Sequence, residues 1–288
     1  MLLPLLVGAI VSVMVSINGN LTGCLGAYTA SMVIHAVGTV FAWVLCIAGK
    51  KKVFHGWGVP VWAYCGGLFG IMTSLCQSSS YGHISMTCIV ALGLLGQTLI
   101  STLLDALGLL GMQKRPIGTG TCVGLIISCA GAAIMMDASV TTGNVAIFLA
   151  LGAGAAIVIN RTINARLARQ AGPLVSSCFN HMVGLCGSIV LCFVMFDAVS
   201  QTVMVMPKPW MFLGGTMGVI SVLLQNIAVP KMSAFRMSLL SFLGQMFSGF
   251  LIDFATGQDI SGKMFWGSVV CGLGFLVSLI PNRFWKRK

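Results

Sequence analysis

Gly96-Gln97-Thr98-Leu99-Ile100-Ser101-Thr102-Leu103-Leu104-Asp105 has a second copy in Gly244-Gln245-Met246-Phe247-Ser248-Gly249-Phe250-Leu251-Ile252-Asp253. In both, a glycine precedes an amide and a carboxylate follows eight residues later, about 12 Å along a helix. Both stretches lie in runs of Leu, Ile, Val, Met and Gly long enough to cross a bilayer, so each places one amide in hydrocarbon and one carboxylate near a helix end. An amide buried without a partner costs free energy, so its recurrence at the same spacing points to the membrane interior as the place where the chain works.

Working outward, the repeat covers most of the chain. From Gly8 to Gly38 the second half matches at a constant offset of 146, pairing Gly8 with Gly154, Asn18 with Asn164, Gly26 with Gly172, His35 with His181 and Gly38 with Gly184. Beyond that the offset is 148, pairing Trp62 with Trp210, Gly66 with Gly214, Gly70 with Gly218, Gln77 with Gln225 and Asp105 with Asp253. The chain divides into a unit over 1–140 and a second over 141–288.

With 57% hydrophobic and 7% charged residues, and a mean hydropathy of +1.00, the chain suits an integral membrane protein. Its apolar runs have helix length and lack the ten-residue alternation of an outer-membrane barrel, which makes the fold class all-α. Hydropathy and breakers predict ten transmembrane helices over 2–17, 28–48, 58–79, 85–107, 117–136, 145–163, 173–196, 209–229, 233–254 and 263–281, five in each unit. The first is read as a membrane helix, not a cleaved signal, because no basic region precedes it.

The charges suggest an orientation. Lys50, Lys51, Lys52, Lys114, Arg115, Arg161, Arg166, Arg169, Lys231, Arg236 and the basic residues of 283–288 fall on one side of the ten-helix arrangement, leaving only Lys208 and Lys263 on the other. The positive-inside rule then places both termini in the cytoplasm and the chain in a cytoplasmic (inner) membrane. Because five is odd, the second unit enters the membrane inverted, the arrangement that lets two halves exchange inward-open and outward-open states. The net charge of +11 is carried by short loops beside anionic lipid, so nucleic acid is not expected as a partner.

At these residues the sequence resembles the drug/metabolite transporter superfamily, and within it the YdcZ-type inner-membrane exporters. The features that carry the likeness are Asn164-Ala165-Arg166-Leu167 closing a short helix, Val37-Gly38-Thr39, Trp62 with Gly66-Gly67, and Gly96-Gln97 followed by Asp105, each with its second-half mate. The resemblance implies ten helices as five plus five, a fused form of units that elsewhere pair, and efflux as the direction of transport. It carries over no catalytic residue.

Candidate site residues follow from physics. His35 and His181, inside matching helices, could relay protons, which makes proton coupling an expectation, or could each satisfy one interhelical hydrogen bond. Gln97 and Gln245, near mid-helix, would bind a polar substrate if they face a cavity, or tie helices together if they face a neighbour. Gln77, Gln225 and Asn226, near helix ends, are further candidates for the same lining. Asp105 and Asp253 oppose a helix dipole and so call for partners such as Arg115 or Lys263, in an anchoring or gating role. Asn18 and Asn164 are expected to end two short helices, with Arg161 beside the cytoplasmic mouth, where it could attract an anion or terminate the helix. Gly66-Gly67-x-x-Gly70 and its copy read as close-packing faces.

No glutamate occurs, the five acids being Asp105, Asp137, Asp197, Asp253 and Asp259, which favours neutral, zwitterionic or anionic solutes over bare organic cations. The eleven cysteines are scattered without a CxxC pair, and no cofactor or metal is expected. Neither HExxH nor GxSxG is present, so the chain is read as a non-enzyme. The expected function is secondary transport of a small organic solute, with membrane lipid as surroundings and a homodimer as a compatible state. A passive facilitator and a non-transporting assembly subunit are the alternatives.

Overall fold

The computed structural model describes residues 2–56, 58–111, 114, 117–135, 141–202, 204–231, 234–257, 262–278 and 280. Arg115, Asp137, Asp259 and the basic run within 281–288 lie outside them. The elements are α1 Leu2–Leu25, α2 Ala27–Ala48, α3 Gly66–Ser80, α4 Met86–Leu107, α5 Thr119–Met135, α6 Thr141–Ala171, α7 Pro173–Val194, α8 Phe196–Ser200, α9 Leu213–Ala228, α10 Ala234–Thr256 and α11 Gly262–Ser278. The all-α class holds among the described residues.

Polarity is inside out. The buried face of α2 carries Ser31, His35 and Gly38, whereas Val40, Val44 and Ile47 of the same helix are exposed, as are Phe247, Phe250 and Phe254 on α10. So large an apolar surface would aggregate in water; in a bilayer it is the side that faces the acyl chains. Among the described residues six stretches are long and apolar enough to span a membrane: Leu2–Leu25, Ala27–Ala48, Met86–Leu107, Asn144–Ala171, Pro173–Val194 and Pro209–Ala228. Thr119–Ile134, Leu240–Thr256 and Phe265–Ser278 are shorter apolar helices.

Two sets of boundaries differ from expectation. The helices predicted over 2–17 and 145–163 run on to Leu25 and Ala171, so Asn18 and Asn164 are interior residues and not helix ends. Hydropathy falls at these polar residues, but Ala, Arg, Leu and Gln in 165–171 are good helix formers, and the i to i−4 ladder continues through them. Each long helix ends at one glycine, Gly26 at φ 74 and ψ 162 and Gly172 at φ 88 and ψ 156, a region essentially reserved for glycine. The next helix starts at once, with Pro173 in the first turn of α7, where its missing N–H costs nothing. The segment expected over 58–79 is helical only from Gly66, after a 3-10 turn at Val61–Tyr64, because Gly58 at positive φ and Pro60 interrupt the chain.

The packing repeats when the halves are exchanged. α1 lies against α9 and α10, and its repeat mate α6 lies against α3 and α4; α2 pairs with its own mate α7, and α5 with α11. Glycines set the closest approaches. A Cβ at Gly8 of α1 would overlap the Ser241 carbonyl of α10, and one at Gly244 would overlap Leu5; in the other crossing Gly154 meets Gly93 and Gly96 meets Leu151. The glycine of the opening motif is thus what lets α6 touch α4, and that contact carries Gln97 toward the middle of the bundle.

Candidate functional site

One cavity of about 120 Å³ lies among α1, α2, α3, α4, α6, α7, α9 and α10, lined by residues of both halves. Gln97 and Gln245 face it from α4 and α10, His35 and His181 from α2 and α7, and Gln77, Gln225 and Asn226 from α3 and α9. Asn18, Asn164 and Arg161 reach the same space. Asp105 and Asp253 do not line it.

The two histidines meet where α2 packs on α7, ring centroids 6.1 Å apart. His35 Nδ1 bonds the Ser31 carbonyl at 2.8 Å and His181 Nδ1 the Ser177 carbonyl at 2.9 Å. A carbonyl only accepts, so each Nδ1 carries the proton and donates, and in the neutral ring Nε2 is the acceptor. His35 stacks over Gly184 and His181 over Gly38, where a side chain would leave no room for the ring. Ser31 Oγ bonds Ser74 Oγ and Ser188 Oγ, each at 3.2 Å, joining α2 to α3 and α7.

The environments of the two rings differ. At Gly70 the nearest atoms are the amide nitrogens of Asn160 and Asn180 with His35 Nε2; at the equivalent Gly218 they are His181 Nε2 and the sulfur of Met14. Asn164 sits at the centre of the polar side, donating to Asn180 Oδ1 at 2.8 Å and to Asn160 Oδ1.

Arg161, expected beside a helix end, lies ten residues before the end of α6 and is only 4% exposed. Its Nη2 donates to Ser238 Oγ at 2.6 Å and its Nη1 to Gln97 Oε1 at 3.5 Å, and the Asp105 carboxylate acts on it electrostatically. Burying a guanidinium is costly unless charge and hydrogen bonds compensate it, so α4 and α10 together hold this group in place. Across the cavity, Ser12 Oγ donates to the Gln245 carbonyl at 3.0 Å, Gln225 Nε2 to Ser221 Oγ at 3.0 Å, and Asn226 Nδ2 to the Pro173 carbonyl at 3.2 Å. Asn18 Oδ1 and Ser241 Oγ are buried with no hydrogen-bond partner among the described residues.

Asp253 finds partners on α4. Its Oδ1 accepts the Met86 N–H at 2.8 Å, and its Oδ2 accepts the Thr87 N–H at 2.9 Å and the Thr87 hydroxyl at 2.5 Å. These are free donors of the first turn of α4, so a carboxylate near the end of α10 neutralises the positive end of another helix's dipole. Asp105, its repeat mate, acts instead on Arg161.

Asn160, Asn180, Thr73, Ser74, Ser78 and Ser241 line the cavity without having been singled out in the sequence. A signal was present. Thr73, Ser221 and Ser241 stand four residues before Gln77, Gln225 and Gln245, and Asn160 four before Asn164, so each polar stripe continues one turn toward the N-terminus. The described residues contain no group of three or more His, Cys, Asp or Glu able to hold a metal ion.

Comparison with known proteins bears on what this cavity serves. A solved structure described only as "Crystal structure of protein" is similar over 98% of this chain and 98% of its own, at a TM-score of 0.63 and 17% identity, a likeness of fold alone. No curated protein matches the sequence. The family model described as "Putative inner membrane exporter, YdcZ" matches twice, over residues 1–134 and 145–278, with one match falling on each half of the repeat. Covering nearly the whole sequence in two copies, that match shows that the chain belongs to the YdcZ family of inner-membrane exporters within the drug/metabolite transporters.

Proposed function

We propose that the chain is a secondary transporter that exports a small polar organic solute across the cytoplasmic membrane by alternating access. It crosses the membrane ten times, as two inverted five-helix repeats over 1–140 and 141–288, with both termini in the cytoplasm. The observation that carries this reading is the cavity: repeat-related pairs, Gln97 with Gln245, His35 with His181 and Gln77 with Gln225, converge on one space bounded by both halves. Polar groups at the interface of two repeats are what a site needs if rocking one half against the other is to expose it to each side in turn. The excess of Lys and Arg on one face supports the orientation.

In this mechanism the substrate enters from the cytoplasm and exchanges water for the glutamine and asparagine amides. Its release follows when the α1–α10 and α6–α4 pairs change their tilt about their glycine contacts. A volume of about 120 Å³ lies below the roughly 300 Å³ of drug-sized sites, so the solute is small or the cavity widens as one side opens.

The test compares extracellular and intracellular metabolites of cells making the intact chain with cells making the Gln97→Ala, Gln245→Ala variant at equal membrane abundance. Export predicts at least one compound enriched outside only with the intact chain. Identical profiles across a broad panel would sink the exporter reading and favour a non-transporting membrane subunit.

A further inference from the structure

The cavity is built symmetrically but furnished asymmetrically. At the offset of 146, Asn160 of α6 corresponds to Met14 of α1, Arg161 to Val15, and Asn180 of α7 to Ile34 of α2. The α6–α7 wall therefore presents a guanidinium and three asparagine amides, whereas the equivalent stretch of α1 presents Val7, Val11, Met14 and Val15, with Asn18 at its end and the amides of α9 and α10 beside it. Because α1 and α6 occupy equivalent places in the two halves, the architecture does not force this difference; side-chain choice does.

The chemistry of each wall selects a ligand. Arg161 is the one Lys or Arg among the described lining residues, and no Asp or Glu is among them. Asp105, half-buried on α4 and outside the cavity, acts on the guanidinium electrostatically, while Gln97 and Ser238 hydrogen-bond it. A cationic solute would meet a like charge with no counter-charge in the lining. A neutral one would find hydrogen bonds but forgo the attraction. A carboxylate gains charge-assisted bonds, which are stronger in a buried site than in bulk water. Along α1 the aliphatic side chains of Val7, Val11, Met14 and Val15 reward burial of hydrocarbon, with Asn18 the one polar side chain that this helix adds to the lining.

We propose that the solute is a small amphiphilic carboxylate, its anionic head received by Arg161 with Asn160, Asn164 and Asn180 and its apolar body lying against Val7, Val11, Met14 and Val15. This rests on the transport reading for what becomes of the ligand, but the binding itself is testable without flux.

The experiment uses the full chain purified in detergent and titrated calorimetrically with matched probes: 4-methylpentanoate, phenylacetate and 3-phenylpropanoate, each alongside its amide and the amine of equal chain length. The carboxylate of each set should bind about tenfold or more tighter than its amide, the amine being weakest. Arg161→Gln should bring carboxylate and amide to within about threefold of each other. Arg161→Lys should retain part of the preference, and Met14→Asn should weaken all three head groups alike. Amines or amides that bind as well as carboxylates, no binding by any set, or a preference that survives Arg161→Gln would overturn the proposal. Should Arg161→Gln not fold, the comparison of head groups on the unaltered chain decides alone. Proteoliposomes separate the two readings: bound carboxylate without flux under either gradient leaves the head-group assignment and refutes transport, whereas flux of the amines does the reverse.

Discussion

α1 and α6 occupy equivalent places in the two halves and do different work. Both run past an interior asparagine, Asn18 or Asn164, and end at a glycine of positive φ. Both press a glycine, Gly8 or Gly154, onto the backbone of a partner helix. Yet α6 turns Asn160 and Arg161 into the cavity beside Asn164, and α1 turns Val7, Val11, Met14 and Val15 into it beside Asn18. Backbone contacts made by small residues are what the halves share, and these set how helices approach. The larger side chains between those contacts are free to diverge, and they set what the cavity can hold.

The sharpest way to break this comparison is to exchange its chemistry. Arg161→Gln should lower flux of a carboxylate substrate by about 10- to 100-fold, since charge-assisted hydrogen bonds contribute about 1.5–3 kcal/mol. Val15→Ala, at the equivalent place, removes two methyl groups of about 0.8 kcal/mol each and should leave the preference among head groups unchanged. Equal losses of preference in both variants would mean that the walls are not specialised.

Next in size is the shared part. Gly96→Leu at the α4–α6 crossing and Gly244→Leu at the α10–α1 crossing should each destabilise the folded protein by about 1–3 kcal/mol, because a Cβ at either overlaps a backbone carbonyl. Thermal unfolding in detergent would read both. Closely matched losses support equivalent crossings, and a large difference would show that the halves pack by different rules.

A smaller effect separates the two aspartates. Asp253→Asn should cost about 1–2 kcal/mol of stability, since a neutral amide keeps one acceptor for donors that now share a charged pair of oxygens, while flux per folded molecule changes little. Asp105→Asn should act mainly on flux, through Arg161. Measuring stability and transport for both variants tells an anchoring carboxylate from one that serves the site; the opposite split would reverse the assignment.

Much of the site was legible because the repeat filters noise. A glutamine or histidine inside an apolar helix is costly, and its recurrence at a fixed offset marks it as placed: Gln97, Gln245, His35, His181, Gln77 and Gln225 all reach one cavity. Asn160 and Asn180 passed unnoticed because their repeat mates are Met14 and Ile34, so the same filter removed them. For Arg161 the sequence leaves open whether it attracts an anion or terminates a helix beside Arg166 and Arg169, since hydropathy averages over neighbours and cannot separate a cation aimed inward from those at the end of a long helix. The partner of Asp253 had no signature at all, because backbone N–H groups of α4 are the same whatever the residue.

By itself the sequence determined the all-helical class, the doubling of one unit and the polar residues that hydrocarbon would not tolerate alone, because these depend on composition, period and spacing along the chain. Only the tertiary structure decided that the helices run through Asn18 and Asn164, that Arg161 faces inward, and that Asp253 caps α4. Each of those depends on which helix crosses which and at what height, and that is set by contacts between residues more than a hundred positions apart for Asp253 and for the pairing of α1 with α10.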